Sequence, residues 1–204
     1  MIIPVLGLLA VLSPVLAGGS LRRLADLRFR GTWILVTALV AQVVAIEVVP
    51  GANHEVLSAV HLATYVAAGW YVVLNRRIPG LWIVAVGAAS NGVAIAANGG
   101  TLPASRTALD SAGIHLEPGE FLNSGVLEHP HLGFLGDVFA IPAGFPLANV
   151  FSVGDVLIVL GVAWGSHRVC GSRLVKPWSG SETATAATLD TTPAPAADSL
   201  GAAT

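Results

Sequence analysis

The chain has 204 residues, of which 54% are hydrophobic and only 11% are charged, and its mean hydropathy is +0.74. Soluble domains carry about 25% charged residues, so this composition predicts an integral membrane protein rather than a soluble domain. The formal net charge is −2 and the few basic residues are scattered, which excludes nucleic acid as a main partner. The single cysteine, Cys170, excludes an internal disulfide framework and a cysteine-rich metal site.

Five apolar segments are long enough to cross a bilayer, which needs roughly 17 to 25 residues per helix. They cover residues 2–18, 32–49, 56–74, 80–97 and 150–169. The first segment could instead be a signal peptide, but a signal peptide carries its positive charge before the apolar run, whereas here the arginines begin after it, at Arg22. The predicted fold class is therefore an all-α membrane protein, a bundle of about five transmembrane helices within residues 1–178.

Basic residues mark the cytoplasmic loops of membrane proteins. All the basic residues except Arg106 follow the first or third predicted span, or lie at the end of the fifth span or after it. This pattern predicts an N-terminus outside, a C-terminus inside and an outer loop at 98–149, in the bacterial cytoplasmic membrane. The tail at 179–204 is rich in Ser, Thr, Ala and Pro and has no aromatic residue, so we expect it to be disordered in the cytoplasm.

Residues 132–150 (LGFLGDVFAIPAGFPLANV) are apolar enough to suggest a sixth span. They directly abut the last span, and Pro142 and Pro146 would break a helix there. A sixth crossing would also place the basic tail outside. We therefore expect a re-entrant or surface-lying segment, covered by protein because irregular backbone is not tolerated against lipid.

Polar residues inside the predicted spans are candidates for a functional site, because an unpaired polar group in lipid is costly. They concentrate near the outer ends of the spans, which favours an outward-facing polar pocket over a continuous ion path. The candidate ligand-binding residues are His61, Asn91, Asn98, Asp137, Ser152 and Asp155. No residue is predicted to be catalytic, and no cofactor is predicted.

Most of these residues also have a structural interpretation. Ser152-x-x-Asp155 before an apolar run is a capping box. Asn98, followed by two glycines, is typical of a helix C-terminus. Asn91 and His61 could each bridge two helices through hydrogen bonds.

Two further motifs leave alternatives open. Gly161 and Gly165 form a GxxxG motif, which serves either packing within the bundle or self-association and a membrane-protein partner. Glu128, His129 and His131, in EHPH, could bind a metal outside the membrane. A loop without a defined further ligand is the simpler interpretation, so no metal site is predicted.

Four pieces of the sequence together resemble a family of small bacterial multi-pass membrane proteins catalogued as a domain of unknown function. They are Gly18-Gly19 with the following arginines and Gln42, Asn91 through NGGTLP at 98–103, Leu135-Gly136-Asp137 with Pro142, and Phe151-Ser152-Val153-Gly154-Asp155. The family usually has Met where Leu102 stands, a volume-conserving exchange. The likeness covers roughly residues 1–170 and implies a fold and a topology, but no activity.

Three functions are compatible with these observations. The first is a membrane protein whose pocket of Asn98, Asp137, Ser152 and Asp155 binds a small ligand, a cation, a lipid headgroup or a protein partner. The second is a transporter or transporter subunit, which would need a large motion because the inner halves of the spans are apolar. The third is an enzyme acting on a lipid-linked substrate, with Asp137 and Asp155 sharing acid–base work, although no nucleophile–base spacing supports it.

Overall fold

The computed structural model describes residues 2–44, 54–115 and 124–178, without the side chains of residues 42, 54–58 and 61. The tail at 179–204 therefore lies outside the described residues. The helices are α1 (Ile2–Leu12), α2 (Arg22–Ala25), α3 (Thr32–Val43), α4 (His54–Leu74), α5 (Leu81–Ala97), α6 (Arg106–Ala112) and α7 (Val153–Cys170). The strands are β1 (Leu102–Pro103), β2 (Ser124–Gly125), β3 (Asp137–Ile141) and β4 (Asn149–Ser152).

The prediction of a five-span, all-α bundle is wrong. Among the described residues, only α7 is long and apolar enough to cross a membrane, and the other apolar helical stretches have 10 to 17 residues. Seventeen residues of helix reach only about 26 Å, against a hydrocarbon core of about 30 Å. Hydropathy does not reveal where a helix stops: α1 ends at Leu12 and passes into a 3-10 turn that contains Pro14. Without alternating crossings, a multi-pass topology is not supported, and the orientation inferred from the basic loops loses its basis.

Residues 137–152 form a β-hairpin, where a re-entrant or surface-lying segment was expected at 132–150. Strands β3 and β4 pair antiparallel, with Asp137 opposite Ser152. Pro142 and Pro146 lie in the connection between the strands, where the missing N–H of proline interrupts no ladder hydrogen bond. With α6 the hairpin encloses a small apolar core that consists of Ala104, Ala108, Leu109, Ala112 and Val150.

Glycines hold α5 and α7 together as a close antiparallel pair. Gly87 faces Gly154, and a Cβ on either one would crowd the carbonyl oxygen of the other. At the other end of the pair, Gly161 and Gly165 lie against Gly80 and its neighbouring backbone. Packing within the chain is thus the role that the structure gives to the GxxxG motif, and a second copy would have to displace α5 to use the same surface. The close approach brings the first turn of α7 against the C-terminal half of α5.

Helix α5 ends as its sequence predicts. Asn98 follows the last helical residue, and Gly99 and Gly100 have φ angles of 66° and 101°. The amide of Gly100 donates to the carbonyl of Ile95 at 2.9 Å. The helix C-terminus predicted from Asn98-Gly99-Gly100 is confirmed, because the left-handed conformation that ends the helix falls on glycine.

Candidate functional site

The N-terminus of α7 is capped by its own side chains. Ser152 has an extended backbone, and its Oγ accepts a hydrogen bond from the amide of Asp155 at 3.0 Å. In return, Oδ2 of Asp155 accepts from the amide of Ser152 at 3.0 Å. The predicted capping box is confirmed. The carboxylate also lies at the positive end of the helix dipole, which adds to its stabilising effect.

Asn91 of α5 joins the two capping residues into one network. Its Oδ1 accepts from the Ser152 hydroxyl at 2.8 Å, and its Nδ2 donates to Oδ1 of Asp155 at 3.1 Å. Gly154 makes this approach possible, since a Cβ there would overlap the Asn91 side-chain oxygen. These hydrogen bonds fix the orientation of the Asn91 side-chain amide. In the opposite orientation its oxygen would face the Asp155 carboxylate, and its NH2 group would face the Ser152 hydroxyl. Ser152 is fully buried within this network.

The Asp155 carboxylate lies between the network and a cavity. It offers about four lone-pair positions, and among the described residues the amide of Ser152 and the side chain of Asn91 donate to it. Asp155 also lines a cavity of about 140 Å³ between α1 and α7. The other residues that line this cavity are apolar and comprise Ile3, Leu6, Phe151, Val156, Val159 and Leu160.

Asp137 brings a second carboxyl group to the same end of α7. It is only 6% exposed, and its backbone carbonyl accepts from the amide of Ser105 at 3.0 Å. Burial raises the pKa of the Asp137 carboxyl from 3.8 to about 6; a hydrogen bond from Ser124 acts against this shift, and the negative charge of Asp155 adds to it. The two carboxyl groups are therefore electrostatically coupled.

The raised pKa of Asp137 makes stability depend on pH. Between pH 4 and pH 6 the folded chain keeps a proton that the unfolded carboxyl has lost, so the free energy of unfolding falls as pH rises through this window, by roughly 3 kcal/mol for a shift of about two units. Asp137→Asn cannot ionise, and its amide oxygen can still accept from Ser124. We expect this variant to be more stable than the wild type at pH 7.5 and to lose the decline between pH 4 and 6, as measured by thermal unfolding.

Asp110→Asn is the matched control, because Asp110 is exposed on α6. It should keep the wild-type dependence on pH. A decline between pH 4 and 6 that persists in Asp137→Asn would show that another group is responsible.

Asn98, another predicted site residue, lies apart from this network. The Asn98 side chain binds the loop at His131, donating to its carbonyl at 2.7 Å and accepting from its amide at 2.8 Å. Asn98 also lies two helical turns from Asn91, about 10 Å along α5, so it anchors the loop and makes no hydrogen bond to the capping residues. The side chain of His61 lies outside the described residues, and its role stays a prediction.

The EHPH loop is exposed at Glu128, His129 and His131. In the part of the chain that the structure describes, no group of three or more His, Cys, Asp and Glu side chains could hold a metal ion.

At the opposite end of α7, the structure brings together residues that the sequence analysis did not identify. His167 lies between the hydroxyl groups of Ser13 and Ser172. Ser13 and His167 are 154 residues apart, so no local spacing connects them. The one available signal was a histidine in the last turn of an apolar helix.

The comparisons with known proteins agree with the resemblance seen in the sequence. A sequence profile of a family of unknown function (DUF5317) matches residues 26–165, a range that includes the whole network at the start of α7. An uncharacterized protein of Thermotoga maritima is 26% identical over 155 residues, which cover 76% of this chain and 84% of that protein. No solved structure matches the chain. Since the profile covers well over half of the sequence, the chain belongs to the DUF5317 family of unknown function.

Proposed function

We propose that the protein is a membrane-associated binding protein that receives a primary ammonium group, carried on a short apolar chain, at Asp155. The observation that carries the proposal is the Asp155 carboxylate beside a cavity of about 140 Å³ whose exposed lining is apolar. An apolar chain matches the lining of the cavity, and a charged headgroup at its end would have to reach the carboxylate beside the cavity. The proposed ligand class is therefore an alkylammonium compound.

The electrostatics at this end of α7 favour a cation. Among the described residues, a backbone amide and an Asn side chain donate to Asp155 and the Ser124 hydroxyl donates to Asp137, and these three partners are neutral. The raised pKa of Asp137 reflects the cost of placing a second negative charge there. A bound ammonium would reduce that cost.

The donor count favours an ammonium over a divalent metal ion. A primary ammonium has three N–H donors, which suit the lone pairs of a carboxylate such as that of Asp155. Calcium takes six to eight oxygen ligands, which is more than two carboxyl groups can supply.

Association with the cell membrane is supported by the exposed apolar surface of the helices. Trp33 is 70% exposed and Trp82 is 60% exposed. Soluble monomers rarely expose contiguous apolar patches larger than a few hundred Å². Helix α7 is long and apolar enough to cross a membrane, and only 33% of it is buried inside the chain. A core helix of a soluble protein would be covered on most sides.

The test is a ligand-induced shift in melting temperature. We expect n-butylammonium to raise the melting temperature of the purified full-length chain in mild detergent at pH 7.5, because a ligand that binds only the folded state stabilises it. Tetramethylammonium has the charge without N–H donors, and n-butanol has the chain without the charge, so both should shift it less. At pH 5 the n-butylammonium shift should shrink, because Asp137, with a pKa of about 6, is then mostly protonated.

A matched pair of substitutions tests whether binding requires the cavity. Val159→Phe fills the cavity without changing a charge and should abolish the n-butylammonium shift. Val66→Phe, at an exposed position of α4, should retain it. Equal shifts with n-butylammonium and tetramethylammonium, or a full shift in Val159→Phe, would reject the proposed site.

A further inference from the structure

The C-terminal end of α7 holds a histidine with a defined proton position. The Ser13 hydroxyl donates to the carbonyl of Ala10 at 2.9 Å. A hydroxyl has one hydrogen to donate, so its contact of 3.0 Å with Nε2 of His167 must be a hydrogen bond that Nε2–H donates. On the other side of the ring, Nδ1 lies 2.7 Å from the buried hydroxyl of Ser172. The imidazole is thus fixed in orientation between two serines.

Beside this histidine the chain forms an open cavity of about 750 Å³ that Arg173 also lines. The Arg173 side chain lies over Gly18, where a Cβ would be 3.3 Å from Nε and 3.7 Å from Cζ. Gly18 has a φ of 76°, so glycine is favoured there by its backbone conformation as well. The amide of Arg173 donates to the carbonyl of Ala17 at 3.1 Å. The arginine is therefore fixed at its backbone, and its exposed side chain lines the cavity.

The charge at this end of α7 is positive. Of the described residues that line the cavity, none is acidic. The stretch 167–178 contains two arginines, one lysine and one histidine, and no acidic residue. Arg23 of α2 adds a further guanidinium beside Gly171. Such an environment attracts an anion, and the planar fork of an arginine matches a phosphate group in particular.

The same cavity exposes large apolar side chains. Leu16 is 93% exposed and Leu174 is 72% exposed, and both line the cavity. Nearby, the Arg168 guanidinium lies 5.3 Å from the centre of the Trp164 ring. Tryptophan and arginine side chains are common at the boundary between lipid and water. The apolar residues would be covered by an acyl chain, whereas a free phosphate ion would leave them exposed.

We propose that this cavity binds the phosphate headgroup of an anionic lipid, with Arg173 as the principal contact and Leu16 and Leu174 against the acyl chains. The inference rests on the membrane association proposed above, but not on the ammonium site at Asp155. A soluble phosphate would make the same contacts with Arg173 as a lipid headgroup. The experiment must therefore distinguish these two ligands.

Native mass spectrometry of the full-length chain in detergent measures lipid retention directly. We expect phosphatidylglycerol to be retained in preference to phosphatidylcholine when both are supplied at equal concentration. Arg173→Gln should lower phosphatidylglycerol retention about tenfold, since it removes charge-assisted hydrogen bonds. Arg173→Lys keeps the charge but loses the planar guanidinium group, so this variant should retain an intermediate amount of phosphatidylglycerol. Arg106→Gln, at an exposed arginine of α6, should behave as the wild type.

Substitution of the apolar residues distinguishes a lipid headgroup from a soluble phosphate. Combined Leu16→Ser and Leu174→Ser should weaken phosphatidylglycerol retention, and millimolar inorganic phosphate should compete poorly with the lipid. If inorganic phosphate displaces the lipid fully and the double serine variant retains lipid normally, the site is one for soluble phosphate and the lipid proposal is wrong.

Failure of this proposal can be told apart from failure of the ammonium site. Arg173→Gln should keep the n-butylammonium shift in melting temperature, and Val159→Phe should keep phosphatidylglycerol retention. Absence of phosphatidylglycerol from the wild-type chain would overturn the lipid proposal alone. An equal loss in Arg106→Gln and Arg173→Gln would overturn it too, because retention would then reflect general attraction to positive charge.

Discussion

Gly87→Ala is expected to destabilise the protein by about 1 to 3 kcal/mol or more, the range typical of an overpacked core. The added methyl group would lie 2.5 Å from the carbonyl oxygen of Gly154, 2.9 Å from the side chain of Ile158 and 3.0 Å from the backbone nitrogen of Ile158. Two of these three contacts are with the backbone of α7, which cannot yield without separating the helices. The separation would also withdraw Asn91 from the capping residues. Equilibrium unfolding of the purified chain in mild detergent measures the loss.

Gly69→Ala is the matched control for the helical preference of alanine. Gly69 lies within α4, and a Cβ there would meet nothing within 4 Å. Alanine is preferred over glycine inside a helix by about 0.8 to 1 kcal/mol, so this variant should be as stable as the wild type or more stable. If both substitutions stabilise the chain, α5 and α7 do not pack as closely as the structure describes.

Hydropathy could not predict the close glycine contacts between α5 and α7. Five apolar runs predicted five spans, and 132–150 was expected to be a re-entrant or surface-lying segment. Hydropathy does not reveal that α1 stops at Leu12, or that DVFAI in 137–141 forms a strand. An apolar run that contains β-branched and aromatic residues fits a strand as well as a helix, and the hairpin is selected by tertiary packing on α6.

Local motifs were predicted more accurately because their chemistry is contained within a few residues. The capping box of Ser152 and Asp155 and the glycine-rich end of α5 both follow from rules that involve neighbouring backbone groups. The partners of these motifs were harder to predict. Asn91 and Asn98 are both amides on α5, yet the first binds the capping residues and the second binds the loop at His131, a difference that depends on helix register.

The hydrogen-bond network changes how the charge of Asp155 must be tested. Both of its oxygens accept hydrogen bonds, from the amide of Ser152 and from the side chain of Asn91. Asp155→Asn has a single acceptor oxygen, so its NH2 group would face another donor. An unsatisfied group of this kind costs about 1 to 3 kcal/mol when buried. The single substitution therefore removes the charge and damages the network together.

Exchanging the two side chains should restore the network. In Asn91→Asp with Asp155→Asn, the new aspartate accepts from the Ser152 hydroxyl and from the new asparagine, whose oxygen accepts from the Ser152 amide. We expect each single variant to be destabilised, Asn91→Asp more so because two carboxylates then face each other. The double variant should recover by a coupling energy of about 0.5 to 3 kcal/mol. Unfolding of the wild type, both single variants and the double variant measures this coupling; strictly additive losses would mean that the three residues do not act as one network.

The same double variant separates capping from ligand binding. It keeps the total charge and a capped α7, but it moves the carboxylate from the edge of the cavity at position 155 to position 91 on α5. If Asp155 is both a cap and a ligand-binding residue, the double variant should be folded and yet lose the n-butylammonium shift in melting temperature. A double variant that is folded and keeps the full shift would show that binding does not require a carboxylate at position 155, and the proposed site would be wrong.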